Sequence, residues 1–82
     1  MVKEIIRTER FLKQLTRIDK SYLDRIEQLV VKIIQNPKVG KPMRFDRRGT
    51  REVYIPPFRL CYAYDTQRDI LLFLDIYHKD TQ

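Results

Sequence analysis

The residues best suited to chemistry are a histidine–lysine pair near the C-terminus and an arginine earlier in the chain. His78 is the only histidine of the 82 residues, and Lys79 follows it directly. A side chain that titrates near neutral pH beside a cation suits proton transfer on an anionic substrate. Arg59 carries the planar guanidinium that binds phosphate through two hydrogen bonds. A lone histidine at a strand end is also compatible with an ordinary surface residue, so this pattern alone leaves both interpretations open.

Positive charge is concentrated in the middle of the chain. The net charge is +6, and residues 38–59 alone carry +5, from seven basic and two acidic side chains. Five of these seven cations are arginines, which suit phosphate contact and base stacking. The pattern favours an RNA or DNA backbone site over a merely solvated basic surface. The candidate nucleic-acid contacts are Lys41, Arg44, Arg47, Arg48, Arg51 and Tyr54.

Composition excludes several other kinds of site. One histidine and one cysteine cannot form a structural zinc site, and two glycines cannot build a phosphate-binding loop. We therefore expect neither a metal nor a cofactor. No apolar run approaches the roughly 20 residues that cross a bilayer, and the N-terminus has no secretory signal pattern. Together with the single Cys61, these features predict a cytoplasmic protein that binds no membrane.

The first half of the chain predicts a strand followed by a helix hairpin. β-branched residues favour a strand over residues 2–7, and helical spacing of apolar residues favours a helix over 9–18. A second helix ends at Asn36-Pro37, because the residue before proline resists the helical conformation. The predicted capping residues are Thr8 for the first helix and Ser21 with Asp24 for the second.

The second half predicts a sheet. Alternating and apolar segments favour strands, and the short links between them favour an antiparallel meander. The helix hairpin would cover one face of this sheet, which gives an α+β, two-layer fold for a single domain of residues 1–82. The predicted strands cover residues 51–55, 58–64 and 70–77.

The pairing of these strands decides which side chains meet. With a short turn between the last two strands, Tyr64 pairs with Ile70 and Arg59 lies opposite Asp75. Arg59 then forms either a cross-strand ion pair or a phosphate ligand above a groove. On the same sheet order, His78 falls within reach of Arg59.

The connection at Pro56-Pro57 is harder to predict. A two-residue turn would place Tyr54 beside Arg59 and Glu52 beside Cys61. Tight hairpin turns want positive φ, which proline cannot adopt. We therefore predict a longer or bulged connection.

Several segments, taken in order, resemble the RelE/ParE superfamily of bacterial and archaeal toxins, and are nearest to RelE-like and YoeB-like ribonucleases. The resemblance covers nearly the whole chain and implies an RelE-like fold. It also implies a toxin that cleaves mRNA in the ribosomal A site. The segments that carry it are Asn36-Pro37, Gly40-Lys41-Pro42-Met43-Arg44, Arg51-Glu52-Val53-Tyr54-Ile55, Phe58-Arg59-Leu60-Cys61-Tyr62 and His78-Lys79.

The resemblance also implies roles and partners. By this similarity Arg59 contacts the scissile phosphate and His78 takes part in proton transfer. From the chemistry of the reaction we assign Arg51 and Lys79 to help Arg59, and His78 to donate the proton. Glu52 is the candidate base for an attacking 2′-hydroxyl. A small, acidic, RelB-like antitoxin that folds on binding would neutralise the toxin in a hetero-oligomer.

Departures from the family pattern keep two other functions open. Many relatives continue to a functional tyrosine after the histidine–lysine pair, and this sequence ends at Gln82 without one. Tyr54 stands where many relatives carry a cation, and Pro56-Pro57 replaces a Gly-Asp-like turn. The alternatives are a ParE-like inhibitor of DNA gyrase and a catalytically inactive relative that acts by binding only.

Overall fold

The computed structural model describes residues 2–81 and has an α+β architecture in which two helices pack on a mixed sheet. Short 3-10 helices follow the second and the last strand, at Phe45–Arg47 and Lys79–Thr81. Within residues 2–81, no helix is both long enough and apolar enough to cross a bilayer. The main elements are β1 (Glu4–Arg7), α1 (Glu9–Thr16), α2 (Lys20–Gln35), β2 (Lys41–Pro42), β3 (Thr50–Ile55), β4 (Phe58–Asp65) and β5 (Ile70–His78).

Helix α1 begins at the predicted cap. The Thr8 hydroxyl accepts a hydrogen bond from the Phe11 backbone N–H at 3.1 Å, which satisfies one of the free donors at the helix start. The same hydroxyl donates to the Leu74 carbonyl at 3.0 Å. The cap therefore also ties α1 to β5.

The predicted Ser21–Asp24 capping box of α2 is wrong. The helix begins two residues earlier than that box requires, so Asp19 is the N-cap and its carboxylate accepts from the Ser21 N–H at 2.9 Å. This backbone hydrogen bond holds the pKa of Asp19 below its usual value. The helix ends at Gln35, directly before Asn36-Pro37, as predicted.

The described residues form a five-stranded sheet in the order β1-β5-β4-β3-β2. Strands β2 to β5 pair antiparallel, which confirms the meander. Strand β1, however, pairs parallel with β5, so an entirely antiparallel sheet is wrong. Both helices and three strands separate β1 from its partner, so no short turn fixes its direction.

The core lies between the helices and one face of the sheet. Leu60 and Phe73 are fully buried there, and the Phe73 ring stacks on Phe11 of α1 with centroids 5.5 Å apart. This layer holds both helices on the sheet and leaves the opposite face uncovered by them. The buried core residues are Phe11, Ile26, Val30, Ile33, Leu60, Tyr62, Leu71, Phe73 and Ile76.

The predicted register of β4 and β5 is wrong by two residues at the Arg59 end. Tyr64 pairs with Leu71, and Arg59 pairs with Tyr77. One residue of the difference comes from the turn, and the other from a bulge in β5 at Leu74, between the pairs Cys61–Asp75 and Tyr62–Phe73. Asp75 instead lies 3.5 Å from Arg10 of α1, measured between Oδ1 and Nε.

The connection between β3 and β4 is shorter than predicted. Only Pro56 and Pro57 join the strands, with a cis peptide bond between them, a geometry that belongs to one class of tight turn. Tyr54 therefore pairs with Arg59, and Glu52 pairs with Cys61. This is the register that the two-residue alternative required.

Candidate functional site

A cavity of about 670 Å³ opens on the face of the sheet that the helices leave uncovered. Successive side chains of a strand point to opposite faces, so Arg59 projects away from the buried Leu60 and toward this cavity. The lining comes from β2 and the loop after it, from β3 and β4, and from the C-terminal 3-10 helix. The lining residues are Lys41, Pro42, Met43, Arg44, Phe45, Glu52, Tyr54, Arg59 and Lys79.

The cavity is strongly cationic. Among the described residues, four basic side chains and a single carboxylate line it. Clefts lined by one sign of charge raise the local concentration of ligands of the opposite sign. The cavity therefore suits an anionic ligand such as a phosphodiester. The basic side chains are those of Lys41, Arg44, Arg59 and Lys79.

Glu52 lies at the centre of a small polar network. Its Oε2 accepts a hydrogen bond from the Tyr77 hydroxyl at 2.7 Å, and its Oε1 lies 3.6 Å from Nη1 of Arg59. The Glu52 side chain is only 9% exposed, whereas that of Arg59 is 31% exposed. The carboxylate therefore orients the guanidinium from below while leaving part of it accessible from the cavity.

Lys79 and Tyr54 meet at the rim of the cavity. The Lys79 ammonium lies 5.3 Å from the centroid of the Tyr54 ring, within the range of a cation–π contact. The backbone N–H of Lys79 donates to the Pro57 carbonyl at 2.9 Å. This bond fixes the C-terminal 3-10 helix beside the β3–β4 turn and brings Lys79 to the same cavity as Arg59.

The loop between β2 and β3 carries an aromatic residue, Phe45, at the cavity. The sequence patterns did not identify it as a site residue. Phe45 is 89% exposed and has a φ of 57°, a left-handed conformation that is uncommon for residues other than glycine. The Phe45 carbonyl accepts from the Arg48 N–H at 3.0 Å, and Met43 N–H donates to the Thr50 carbonyl at the base of the loop. The sequence feature that could have identified Phe45 is an aromatic residue within an arginine-rich loop.

Arg51 does not line the cavity. It pairs with Tyr62 of the core, and its Nη1 donates to the Gly40 carbonyl at 2.7 Å and to the Lys38 carbonyl at 3.1 Å. Arg51 therefore does not share the cavity with Lys41 and Arg44, the other predicted RNA contacts beside it. Arg51 holds the segment that leads into β2 and so helps to position Lys41.

Tyr62 secures the same segment from the core. Its hydroxyl donates to the Pro37 carbonyl and accepts from the Gly40 N–H, both at 2.8 Å. Burial raises the pKa of Tyr62, which keeps the hydroxyl protonated for this pair of bonds. A Cβ atom at Gly40 would lie 2.7 Å from the Tyr62 hydroxyl, so only glycine fits this approach.

His78 lies on the other side of the sheet from Arg59. It pairs with Phe58, and their rings meet edge to face with centroids 5.8 Å apart. Phe58 in turn packs against Tyr22 of α2, so this is the helix-covered face. His78 is close to the β3–β4 turn, but strand alternation turns its ring away from the cavity and from Arg59. Its Nδ1 accepts from the Asp80 N–H at 3.3 Å.

The structure thus brings together six of the ten predicted site residues. Arg48 is exposed in the β2–β3 loop but does not line the cavity. The side chain of Arg47 lies outside the described part of the structure. The six residues that share the cavity are Lys41, Arg44, Glu52, Tyr54, Arg59 and Lys79.

Family comparison identifies the class of protein that this fold and cavity define. Residues 5–82 match the model of the ParE toxin of the type II toxin–antitoxin system parDE. The chain therefore belongs to the ParE toxin family, within the RelE/ParE superfamily, and is a type II toxin. No curated protein matches this chain.

Solved structures show the same fold. The RelBE2 toxin–antitoxin complex of Mycobacterium tuberculosis matches with a TM-score of 0.84 and 21% identity, over 95% of this chain and 99% of that chain. The intact Escherichia coli RelBE complex matches with a TM-score of 0.77 and 12% identity, over 90% and 93%. A mutant of E. coli toxin RelE in complex with an antitoxin RelBc peptide matches with a TM-score of 0.75 and 13% identity, over 93% and 82%.

Proposed function

We propose that this toxin is an endoribonuclease that cleaves mRNA on the ribosome. The observation that carries the proposal is that Arg59, Lys79 and Glu52 line one cationic cavity. These residues supply the three functions that cleavage by a 2′-hydroxyl needs: a base, an acid and positive charge. The ribosome as the place of cleavage rests on the resemblance to RelE-like ribonucleases.

The reaction begins with attack of the 2′-oxygen on the adjacent phosphorus. The 2′-hydroxyl proton passes to the Glu52 carboxylate, and the bond between phosphorus and the 5′-oxygen breaks. The departing 5′-oxygen takes a proton from the Lys79 ammonium. The products are a 2′,3′-cyclic phosphate and a 5′-hydroxyl. Each proton transfer contributes typically about 10²–10⁴-fold to such a rate.

Arg59 supplies the charge stabilisation. Negative charge builds on the non-bridging oxygens as the phosphorus becomes five-coordinate, and a guanidinium can bind two of them at once. The contact of Arg59 with Glu52 at 3.6 Å keeps the guanidinium oriented before substrate arrives. Lys41 and Arg44 would hold the neighbouring phosphates of the strand.

In this proposal Lys79 takes the acid role that the resemblance gave to His78. Lys79 lines the cavity, whereas the His78 ring packs against Phe58 on the helix-covered face. Geometry comes before pKa in choosing a proton donor, because the donor must reach the leaving oxygen.

A ParE-like inhibitor of DNA gyrase is the second candidate. The match to the ParE toxin model favours it, and so does the position of His78 outside the cavity. A gyrase inhibitor needs a binding surface but no acid or base. The same cationic face could then bind an acidic protein surface or DNA.

We also propose an acidic, RelB-like antitoxin as a partner, which folds on binding and forms a hetero-oligomer with the toxin. The similar toxins of M. tuberculosis and E. coli are in complexes with antitoxins, which supports this. Cleavage of ribosome-bound mRNA would take place in the cytoplasm.

Induced expression followed by mapping of mRNA 5′ ends separates the two candidates. Arg59→Ala tests the cavity, and Arg68→Ala is the matched control because its side chain is 78% exposed in the β4–β5 turn. We expect codon-phased cuts from the wild type and the control and none from Arg59→Ala. Gyrase-linked DNA breaks without mRNA cuts would instead establish the second candidate.

A further inference from the structure

Phe45 is an exposed aromatic residue without a role in the core. At 89% exposure its ring contributes little to folding, yet it occupies a left-handed backbone conformation that disfavours a bulky residue. Such conformations cluster at ligand-binding and functional sites, where the surrounding structure holds them in place. The stability of the folded chain therefore does not explain why a phenylalanine occupies this position.

The loop that carries Phe45 is anchored at two points. Met43 donates to the Thr50 carbonyl at 3.0 Å where the loop leaves the sheet, and Arg48 donates to the Phe45 carbonyl at 3.0 Å within the loop. These bonds hold the backbone that carries Phe45 at the edge of the cavity, whose lining includes this residue. A loop backbone that is already ordered loses less entropy when a flat ligand stacks on the ring that it carries.

A second exposed aromatic residue lines the same cavity. Tyr54 is 52% exposed, and the Lys79 ammonium lies against its ring. Arg44, next to Phe45, and Arg59, paired with Tyr54, add positive charge to both positions. Aromatic rings beside cations along one groove are the combination by which proteins bind single-stranded nucleic acid.

We propose that Phe45 and Tyr54 form a base-stacking site for single-stranded RNA, in which a nucleobase next to the scissile phosphate stacks on Phe45. This inference rests on the proposed function and adds the part of the substrate that the cations do not recognise. The phosphates bind Arg44 and Arg59, and the base binds the aromatic ring. Stacking would fix the strand so that the 2′-hydroxyl faces Glu52.

Charge favours RNA over an apolar protein partner at this position. Among the described residues that line the cavity, four are basic and one is acidic. A protein that inserted an apolar segment here would bury several of these cations without anionic partners, which is costly. A nucleotide supplies an aromatic plane and a negative charge within one residue.

The test measures binding of two fluorescein-labelled 2′-O-methyl RNA hexanucleotides by anisotropy. The 2′-O-methyl group blocks the attacking oxygen, so the strand cannot be cut. One hexanucleotide carries all its bases, and the other has the same backbone with abasic positions in the centre. The proteins are the wild-type chain, Phe45→Ala, Phe45→Trp and Val39→Ala, the last an exposed apolar control outside the cavity.

Phe45→Ala should weaken binding of the complete strand by about 5- to 100-fold and change binding of the abasic strand less than about twofold. Phe45→Trp and Val39→Ala should bind both strands like the wild type. Equal weakening toward both strands, or no weakening, would overturn the stacking site. So would a Phe45→Ala variant that loses affinity for an acidic antitoxin but not for RNA.

The stacking site and the proposed nuclease activity can be tested separately, because cleavage of ribosome-bound mRNA is measured on the same proteins as RNA binding. Cleavage by the wild type, together with equal weakening of both strands or no weakening in Phe45→Ala, would refute stacking and leave the nuclease standing. Base-dependent binding through Phe45 without any cleavage would refute the nuclease and support the stacking site.

Discussion

Arg51 tests whether a cation of the basic segment stabilises the fold instead of lining the cavity. Its Nη1 donates to the carbonyls of Gly40 and Lys38, at 2.7 and 3.1 Å, and it does not line the cavity. Hydrogen bonds from a charged donor contribute roughly 1.5–3 kcal/mol each, and the solvent-exposed bond to Lys38 contributes less. Arg51→Met, which keeps the apolar stem, should therefore lower the unfolding free energy by about 2 kcal/mol.

The assay is urea denaturation followed by far-UV circular dichroism, together with thermal unfolding. For a domain of this size, about 2 kcal/mol corresponds to a fall in Tm of about 8–16 °C. Arg68→Ala, in an exposed turn, should change the unfolding free energy by less than about 0.5 kcal/mol. Wild-type stability of Arg51→Met combined with a large loss of RNA affinity would refute this reasoning and return Arg51 to the phosphate site.

Three further perturbations test the local structure. Gly40→Ala should cost about 1–3 kcal/mol of unfolding free energy in urea denaturation, because its Cβ would overlap the buried Tyr62 ring and hydroxyl. Asp19→Ala should destabilise the protein at neutral pH, and the difference should disappear as pH falls through the lowered pKa of Asp19, below 3.8, in a pH series of thermal melts. The hydrogen bond from the Tyr64 hydroxyl to Asp69, 2.6 Å long, raises the pKa of Tyr64 above 10.0. Its stabilisation should be complete below pH 10 and should fall as pH rises through the folded pKa, which phenolate absorbance at 295 nm can follow.

Each of these expectations has a clear contrary result. A Gly40→Ala protein as stable as the wild type would mean that Tyr62 can move without cost. A stability difference for Asp19→Ala that persists unchanged at pH 2 would show that the carboxylate charge is not what caps α2. Titration of Tyr64 at its unfolded pKa would show that the bond to Asp69 is not made in solution.

Local patterns were sufficient for most of the fold. Thr8 predicted the start of α1, and Asn36-Pro37 predicted the end of α2, because capping and proline effects act within a few residues. The alternation in β4 identified the side chains that face the helices, among them Leu60 and Tyr62. These signals are local in sequence, so they survive without knowledge of the tertiary structure.

The register of the strands, and the face of the sheet on which each side chain lies, depended on details that local patterns do not encode. The bulge at Leu74 and the two-residue turn at Pro56-Pro57 together decide that Arg59 meets Glu52 and Tyr77 instead of Asp75. Side chains alternate with a period of two, so adjacent residues at a strand end face opposite sides however similar their chemistry is.

The candidate site was predictable in part for the same reason. Arg59 and Lys79 were identified by type, and the cavity brings them together. His78 had the chemistry of a proton donor, but its position along β5 puts its side chain on the face of the sheet opposite Arg59. Phe45 escaped notice because an exposed aromatic residue in a loop has no periodicity, and its position follows from the left-handed backbone conformation.

The cavity's role in cleavage is tested most directly by the single-turnover rate of cleavage of ribosome-bound mRNA by Arg59→Ala and His78→Ala. Arg59→Ala should lose at least about 10²-fold in rate, because charge stabilisation of the transition state is lost. His78→Ala should cleave within a few-fold of the wild-type rate, because the His78 ring packs on Phe58 away from the cavity. Wild-type cleavage by Arg59→Ala, or a comparable loss in His78→Ala, would show that the cavity around Arg59 is not the site of cleavage.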